Sequence, residues 1–237
     1  ADVTINTLKV KGGNVRVSGT ISNISRTDDN ADAVTYVIVE EGAVIPENLG
    51  ENIVAVPVAE WASKAVVTSN DELLAALEDS EIGTIILGKD LTFEDILVLD
   101  RDVILDGNNH SLTSTAPRAI NVNCAGEVTI QNITINASGE RAINVIQKPV
   151  TLTIQNITAT SANYTINVAG SAGAAKVAIT NSTLNGLCTV NVASAGTEVV
   201  IDKCVVNCND ENTTPGESYA ALTIGKEGLG AKIVATN

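Results

Sequence analysis

The chain of 237 residues carries 28 Asp and Glu against 14 Lys and Arg, a formal net charge of −14, and its hydrophobic content of 44% includes almost no aromatics and no Met. That balance excludes a nucleic-acid surface, which needs clustered Lys and Arg. It also leaves Val, Ile, Leu and Ala to fill the interior, a residue set suited to pleated strands.

No run of about 18 apolar residues is present to span a membrane. The chain starts at Ala1 without a charged and apolar leader, so any signal peptide is expected to be gone. The acidity is concentrated early: residues 1–110 hold 20 Asp and Glu against 7 Lys and Arg, and the remainder is near neutral. Such a front keeps a protein soluble.

From the N-terminus, residues 3–10, 15–21, 33–39 and 53–56 read as short strands and suggest a small β appendage over residues 1–62, joined near Trp61. The stretch from Ser69 to Leu77 is amphipathic, and Ser69 and Glu72 are spaced as a capping box. A short helix over about 70–79 follows, placed to cover the front end of what comes next.

From residue 82 onward the chain repeats, and internal repeats decide the fold before any other signal. The tetrapeptides beginning at Ala119, Ala142, Thr165 and Thr189 read Ala-Ile-Asn-Val, Ala-Ile-Asn-Val, Thr-Ile-Asn-Val and Thr-Val-Asn-Val. They recur about every 23 residues, and a fifth, from Ala221, follows a polar insertion. A second series runs in step, from Val128, Leu152, Val177 and Val199. Within its first member the apolar alternation at 128 and 130 resumes at 133 and 135, and this one-residue slip marks a corner.

Short apolar strands at this spacing, with no helix between them, fit neither a βαβ sheet nor a hairpin sandwich. They fit an all-β, right-handed parallel β-helix over residues 63–237, with three strands per coil and like residues stacked on like. Stacking would place Asn132, Asn156 and Asn181 in an inward amide ladder, with Gly107 and Lys203 at its ends, each amide bonding the next.

The string from Val67 through the helix, the segment Asp106-Gly107-Asn108-Asn109-His110-Ser111-Leu112 and the Asn column resemble the pectate-lyase-like right-handed β-helix superfamily, in the form found in large bacterial surface proteins. The resemblance covers about residues 67–237. It implies a fold and an extracellular, cell-surface setting, but no one activity, since that superfamily mixes lyases, hydrolases, adhesins and tail fibres.

Enzymes of the superfamily place carboxylates and an Arg or Lys on the outward face of adjacent coils. Here the corresponding face presents Asn121, Asn144, Asn167 and Asn191, whose amides neither donate protons near neutrality nor activate water. No catalytic residue, metal site or cofactor is assigned.

Arg118 and Arg141 occupy equivalent positions on successive coils and form a candidate carbohydrate contact, a clamp for a uronate carboxylate; pairing with Glu140 is the plainer alternative. His110 reads as a structural turn residue. Asp100, Asp102 and Asp106 alternate on one strand face and could hold calcium, but a solvated acidic edge is the preferred reading.

Cys188 and Cys208 end neighbouring coils, where a disulfide is conceivable, while Cys204 aligns with inward Ile133 and Ile157 and Cys124 lies apart. Asn-x-Ser/Thr sequons at Asn132, Asn156 and Asn181 coincide with the expected inward column, where a glycan does not fit.

The last coil stops partway, with no amphipathic cap. The expectation is therefore a non-enzymatic structural protein, a stalk or a subunit that adds head-to-tail onto itself. Val3, Ile5, Leu8 and Val10 would supply the augmenting strand. The alternatives are a polysaccharide-binding module, weakened by the scarcity of aromatics, and a divergent polysaccharide lyase.

Overall fold

The structure is a computed structural model that describes residues 4–10, 14–27, 34–209 and 220–236. Two compact units divide the chain, Ala1–Gly88 and Lys89–Asn237. The expected boundary after residue 62 falls within the first of them.

The second unit is a parallel β-solenoid. One sheet (sheet 1) stacks Leu91–Phe93, Ser111–Ser114, Thr134–Ala137, Thr158–Thr160, Thr183–Gly186 and Val205–Cys208 in that order. A second (sheet 2) stacks Leu97–Leu99, Arg118–Val122, Arg141–Val145, Tyr164–Val168, Cys188–Val192 and Leu222–Ile224. The third (sheet 3) carries Val103–Asp106, Glu127–Gln131, Thr151–Gln155, Lys176–Thr180, Glu198–Asp202 and Lys232–Thr236. Each coil contributes one strand to each sheet, and every pairing is parallel.

Register follows the repeat read from the sequence. Ile120 pairs with Ile143, Ile143 with Ile166 and Ile166 with Val190; the chain then passes its insertion and resumes with Val190 opposite Leu222. In sheet 3, Leu105, Ile130, Ile154, Ile179 and Ile201 form one inward column, all but fully buried. Columns of branched aliphatics of matched size let each coil fill the gap left by the one below. At roughly 25 cal/mol per Å² of apolar surface removed from water, this continuous seam is the main stabilising term.

The corner between sheet 3 and sheet 1 holds two residues in the left-handed backbone region in the first coil, Asn108 and Asn109, and one in each of the next four, Asn132 at φ 50°, Asn156 at 53°, Asn181 at 47° and Lys203 at 52°. This is the slip seen in the alternation of residues 128–135. Asn tolerates that region because its short polar side chain bonds locally.

The first unit is also parallel throughout. Thr4–Ile5 pairs with Thr20–Ile21, Leu8–Val10 with Ile24–Arg26, and Asn14–Val17 with Thr35–Val39, which in turn pairs with Ile53–Pro57. The first two pairings join residues 16 apart, Thr4 to Thr20 and Leu8 to Ile24. These residues wind as a tighter coil around Val10, Val17, Ile21, Ile24, Val37 and Ile53, with no hairpins among the described residues. Ile38, Val56, Trp61 and Ile86 form a second cluster, with Tyr36 tilted against Trp61 at 5.1 Å between ring centres.

The helix spans Asn70–Glu78 and buries Leu73 and Ala76. Ser69 Oγ accepts the Glu72 N–H at 3.2 Å, as the capping box predicts. The Glu72 carboxylate reaches one residue further back than in a standard box and accepts the Thr68 N–H at 2.6 Å and the Thr68 hydroxyl at 3.0 Å. Lys64–Val67 and Thr84–Leu87 pair on either side of the helix in sequence.

The turn that leads into Arg141 demands glycine. A Cβ at Gly139 would collide with the carbonyl oxygen of Ala116 and the Cα of Pro117 on the preceding coil, both backbone atoms that cannot swing aside. Gly139→Ala is expected to cost about 1–3 kcal/mol as an overpacking substitution, read as a lowered Tm by circular dichroism; an unchanged Tm would show that neighbouring coils separate freely.

Candidate functional site

In sheet 2, Asn144, which alternates with the buried pair Ile143 and Val145, and its counterparts on the other coils carry the most regular chemistry. Asn144 Nδ2 donates to Asn121 Oδ1 at 2.8 Å, Asn167 Nδ2 to Asn144 Oδ1 at 2.7 Å, and Asn191 Nδ2 to Asn167 Oδ1 at 2.7 Å. Asn144 and Asn167 are buried, at 1% and 3% exposure. Each interior amide gives one hydrogen to the coil before and receives one from the coil after. Their polarity is spent on one another, in the manner a buried polar group requires.

The column of Asn132, Asn156 and Asn181 corrects the expected inward ladder. These residues are the left-handed corners, and Asn156 and Asn181 are exposed. Asn156 Nδ2 donates to Asn132 Oδ1 at 3.2 Å, and Asn132 Nδ2 to Asp106 Oδ1 at 3.2 Å. The inward neighbours are instead Ile133 and Ile157. A corner residue in the left-handed region follows neither face of the strand alternation, so the stack points outward. The sequons there are consequently not sealed in the core.

Asp106 anchors two stacks. Its carboxylate also accepts Gln131 Nε2 at 2.8 Å and the Asn108 N–H at 2.8 Å, and Gln155 Nε2 donates to Gln131 Oε1 at 2.7 Å. The acidic edge is thereby dispersed. Asp102 accepts the Glu127 N–H at 3.0 Å and the Cys124 thiol at 3.3 Å, while Asp100 is exposed. Among the described residues no group of three His, Cys, Asp or Glu comes together to hold a metal ion.

His110 is buried in its turn, with Nδ1 3.5 Å from Asp90 Oδ1. The Ser111 N–H donated to Asp90 at 2.8 Å holds that carboxyl below its ordinary value, with His110 assisting. A carboxyl lowered in the folded state contributes stability above its unfolded pKa and loses it as pH falls through the folded one.

Arg118 and Arg141 are Cα partners, and the next residue in the column is Tyr164. The Arg141 guanidinium lies 5.7 Å from the Tyr164 ring centre and 3.9 Å from Glu140, while its buried Nε has no partner among the described residues. Glu140 is therefore only a long, partial counter-ion. A guanidinium over the Tyr164 ring sets two cations and a ring along one column.

All four cysteines are free thiols. Cys208 Sγ donates to the Leu187 carbonyl at 3.0 Å and Cys188 Sγ to Thr223 Oγ1 at 3.4 Å, so the bridge considered between them is absent. Cys204 is half-buried and donates to the Asp202 carbonyl at 3.1 Å. Burial raises the thiol pKa of both Cys124 and Cys188.

Of the proposed augmenting strand, Val10 is buried in the first unit's core, Leu8 is half-buried and Ile5 is 40% exposed. Val3 lies outside the described residues.

Two outcomes follow from this geometry. Asn167→Ala strands the Asn144 oxygen and the Asn191 amino group, at about 1–3 kcal/mol for each buried orphan, whereas Asn156→Gly, at an exposed corner already in the left-handed region, leaves stability within about 1 kcal/mol. Denaturant titration of both variants checks this, and equal losses would contradict it. In the second, a thiol reagent at neutral pH labels exposed Cys208 first and Cys124 and Cys188 only after unfolding; rapid native labelling of Cys188 would count against its burial.

The family model of the pectate lyase-like adhesive domain matches residues 64–201, more than half of the chain. Searches of curated proteins and of solved structures returned no match. The matched segment contains the helix, the corners at Asn132, Asn156 and Asn181, and the amide ladder of sheet 2. The chain belongs to the family of pectate lyase-like adhesive domains.

Proposed function

We propose that the chain is a non-enzymatic adhesive module of the cell exterior, a stiff β-solenoid that presents its faces to other surfaces. The observation that carries this reading is the amide ladder from Asn121 to Asn191. On the face where the superfamily's enzymes keep acids and bases, the polar side chains are consumed in holding one coil to the next. Such a face serves rigidity better than proton transfer. Membership of an adhesive-domain family agrees with a surface setting.

Two finer readings have specific support. Head-to-tail addition would lay the strands at Thr4–Ile5 and Leu8–Val10 onto the strands at Leu222–Ile224 and Lys232–Thr236 of another copy. In its favour, each of these strands is parallel to its one strand partner among the described residues, so an added coil would continue the existing sense. A polysaccharide contact has the Arg118 and Arg141 column with Tyr164 in its favour, since guanidiniums and a ring suit an acidic sugar.

Beads carrying the chain, passed under flow over immobilised polysaccharides and cell surfaces, test the proposal. Retention on at least one surface is expected, with no rise in unsaturated uronide absorbance on pectate. Turnover of pectate, or retention no better than bare beads on every surface, would overturn it. Retention on polyuronate should fall about tenfold, or ~1.4 kcal/mol, in Arg118→Ala and Arg141→Ala if that column is the contact, and electron microscopy of the free chain should reveal filaments if it adds head-to-tail.

A further inference from the structure

The outward face of sheet 3 presents three columns across the strands Thr151–Gln155, Lys176–Thr180, Glu198–Asp202 and Lys232–Thr236. One flank reads Thr151, Lys176, Glu198, Lys232 in stacking order; the centre reads Thr153, Ala178, Val200, Val234; the other flank reads Gln155, Thr180, Asp202, Thr236. Val200 and Val234 are 46% and 49% exposed, large values for valines at the middle of a sheet face. Beside Val200, the small side chain of Ala178 leaves a shallow depression bordered by Thr153, Lys176 and Glu198. A knob and a hole lie one coil apart.

The order of charges on the flank makes this face complementary to itself. Consider a two-fold axis that runs along the strand direction, midway between Lys176–Thr180 and Glu198–Asp202. It brings the same face of a second copy over the first, with each column facing itself in reversed order. Lys176 then meets Glu198 of the other copy, and Glu198 meets Lys176. Val200 enters the depression over Ala178, Thr153 meets Val234, and the Thr180 hydroxyl faces the Asp202 carboxylate.

No like charges oppose one another in this register. Moving the axis onto Lys176–Thr180 sets Lys176 against Lys176, and moving it onto Glu198–Asp202 sets Glu198 against Glu198. A shift to the midpoint between Thr151–Gln155 and Lys176–Thr180 opposes Glu198 to Glu127, which heads the same column. Charge therefore excludes these three. The midpoint between Glu198–Asp202 and Lys232–Thr236 also sets Glu198 against Lys232, but it faces Val200 with Val234 and leaves Lys176 and the depression over Ala178 unmatched, so charge and packing together select the register. Lys176 has no ion pair among the described residues, and Glu198 shares only Lys232, at 3.8 Å.

We infer that this face binds a second copy of the chain as a weak, isologous, antiparallel dimer. Four strands about 4.8 Å apart and five residues of about 3.3 Å each present roughly 300 Å² per copy, well short of the ~800 Å² per partner of a standard interface. Association is accordingly weak for free chains and gains strength only where many copies are displayed together. The axis reverses the direction of the solenoid between partners. On the adhesive reading, on which this one consequence rests, paired copies would reach toward each other from facing surfaces.

Sedimentation equilibrium of the whole chain up to millimolar concentration tests the dimer without reference to adhesion. Reversible dimerisation is expected, weakened about tenfold or more by Lys176→Glu or by Glu198→Lys, each of which opposes like charges twice across the axis. The double exchange, Lys176→Glu with Glu198→Lys, recreates the pairs in reverse and should recover affinity to within about threefold of the original. Val200→Asp should abolish association. All four variants change only side chains exposed on the sheet, and an unaltered circular dichroism spectrum confirms the fold of each. A chain monomeric at millimolar concentration would overturn the inference, as would a dimer indifferent to the single exchanges or not recovered by the double one. Failure of the bead assay with a dimer intact would instead sink the adhesive reading alone.

Discussion

Parallel, in-register stacking is the constraint on which the rest of this molecule depends. A coil that hydrogen-bonds the next at a separation of about 4.8 Å places each side chain above its counterpart. An aliphatic over an aliphatic is favourable, an isolated charge over the same charge is not, and an amide over an amide is favourable only when donors and acceptors alternate through the stack. The inward columns of Ile, Leu and Val satisfy the first condition. The Asn column of sheet 2 satisfies the last, each Nδ2 meeting the preceding Oδ1 at 2.7–2.8 Å.

That constraint also explains where charge is placed. On sheet 3 a column reading Glu127, Thr151, Lys176, Glu198 and Lys232 contains no adjacent like charges. Asp106 is a carboxylate at the foot of two amide stacks, and carboxylates only accept. Gln131 and Asn132 supply the hydrogens, and the direction of donation is then passed to Gln155 and Asn156. Polar columns here are structural first, and a column is free for recognition only where its groups are left over. Arg141, whose buried Nε has no partner among the described residues, and the exposed valines of sheet 3 are what this bonding leaves over.

An adhesive role fits this economy. A solenoid whose coils are bonded at core, corner and face yields little along its length, because separating two coils breaks three strand pairings and the ladders together. Stiffness of this kind suits a module that holds a binding surface away from its origin. Weak contacts on its faces gain strength through number rather than through area.

The repeat near 23 residues, the three strands per coil, the corner after residue 131 and the capping of the helix by Ser69 were all legible in the sequence. They depend on local periods and on backbone chemistry that each residue carries with it. The parallel winding of residues 4–57 was not legible, since its two-residue and three-residue strands are too short to show a period, and only the pairing of Thr4 with Thr20 and Leu8 with Ile24 reveals the coil. Which of two Asn columns would be buried was likewise decided by tertiary structure. Both repeat at the same spacing, but the left-handed turn at Asn132, Asn156 and Asn181 rotates those side chains outward, while Asn144 and Asn167, within regular strands, are enclosed. Periodicity says which residues stack; the path of the backbone at each corner says which way the stack faces.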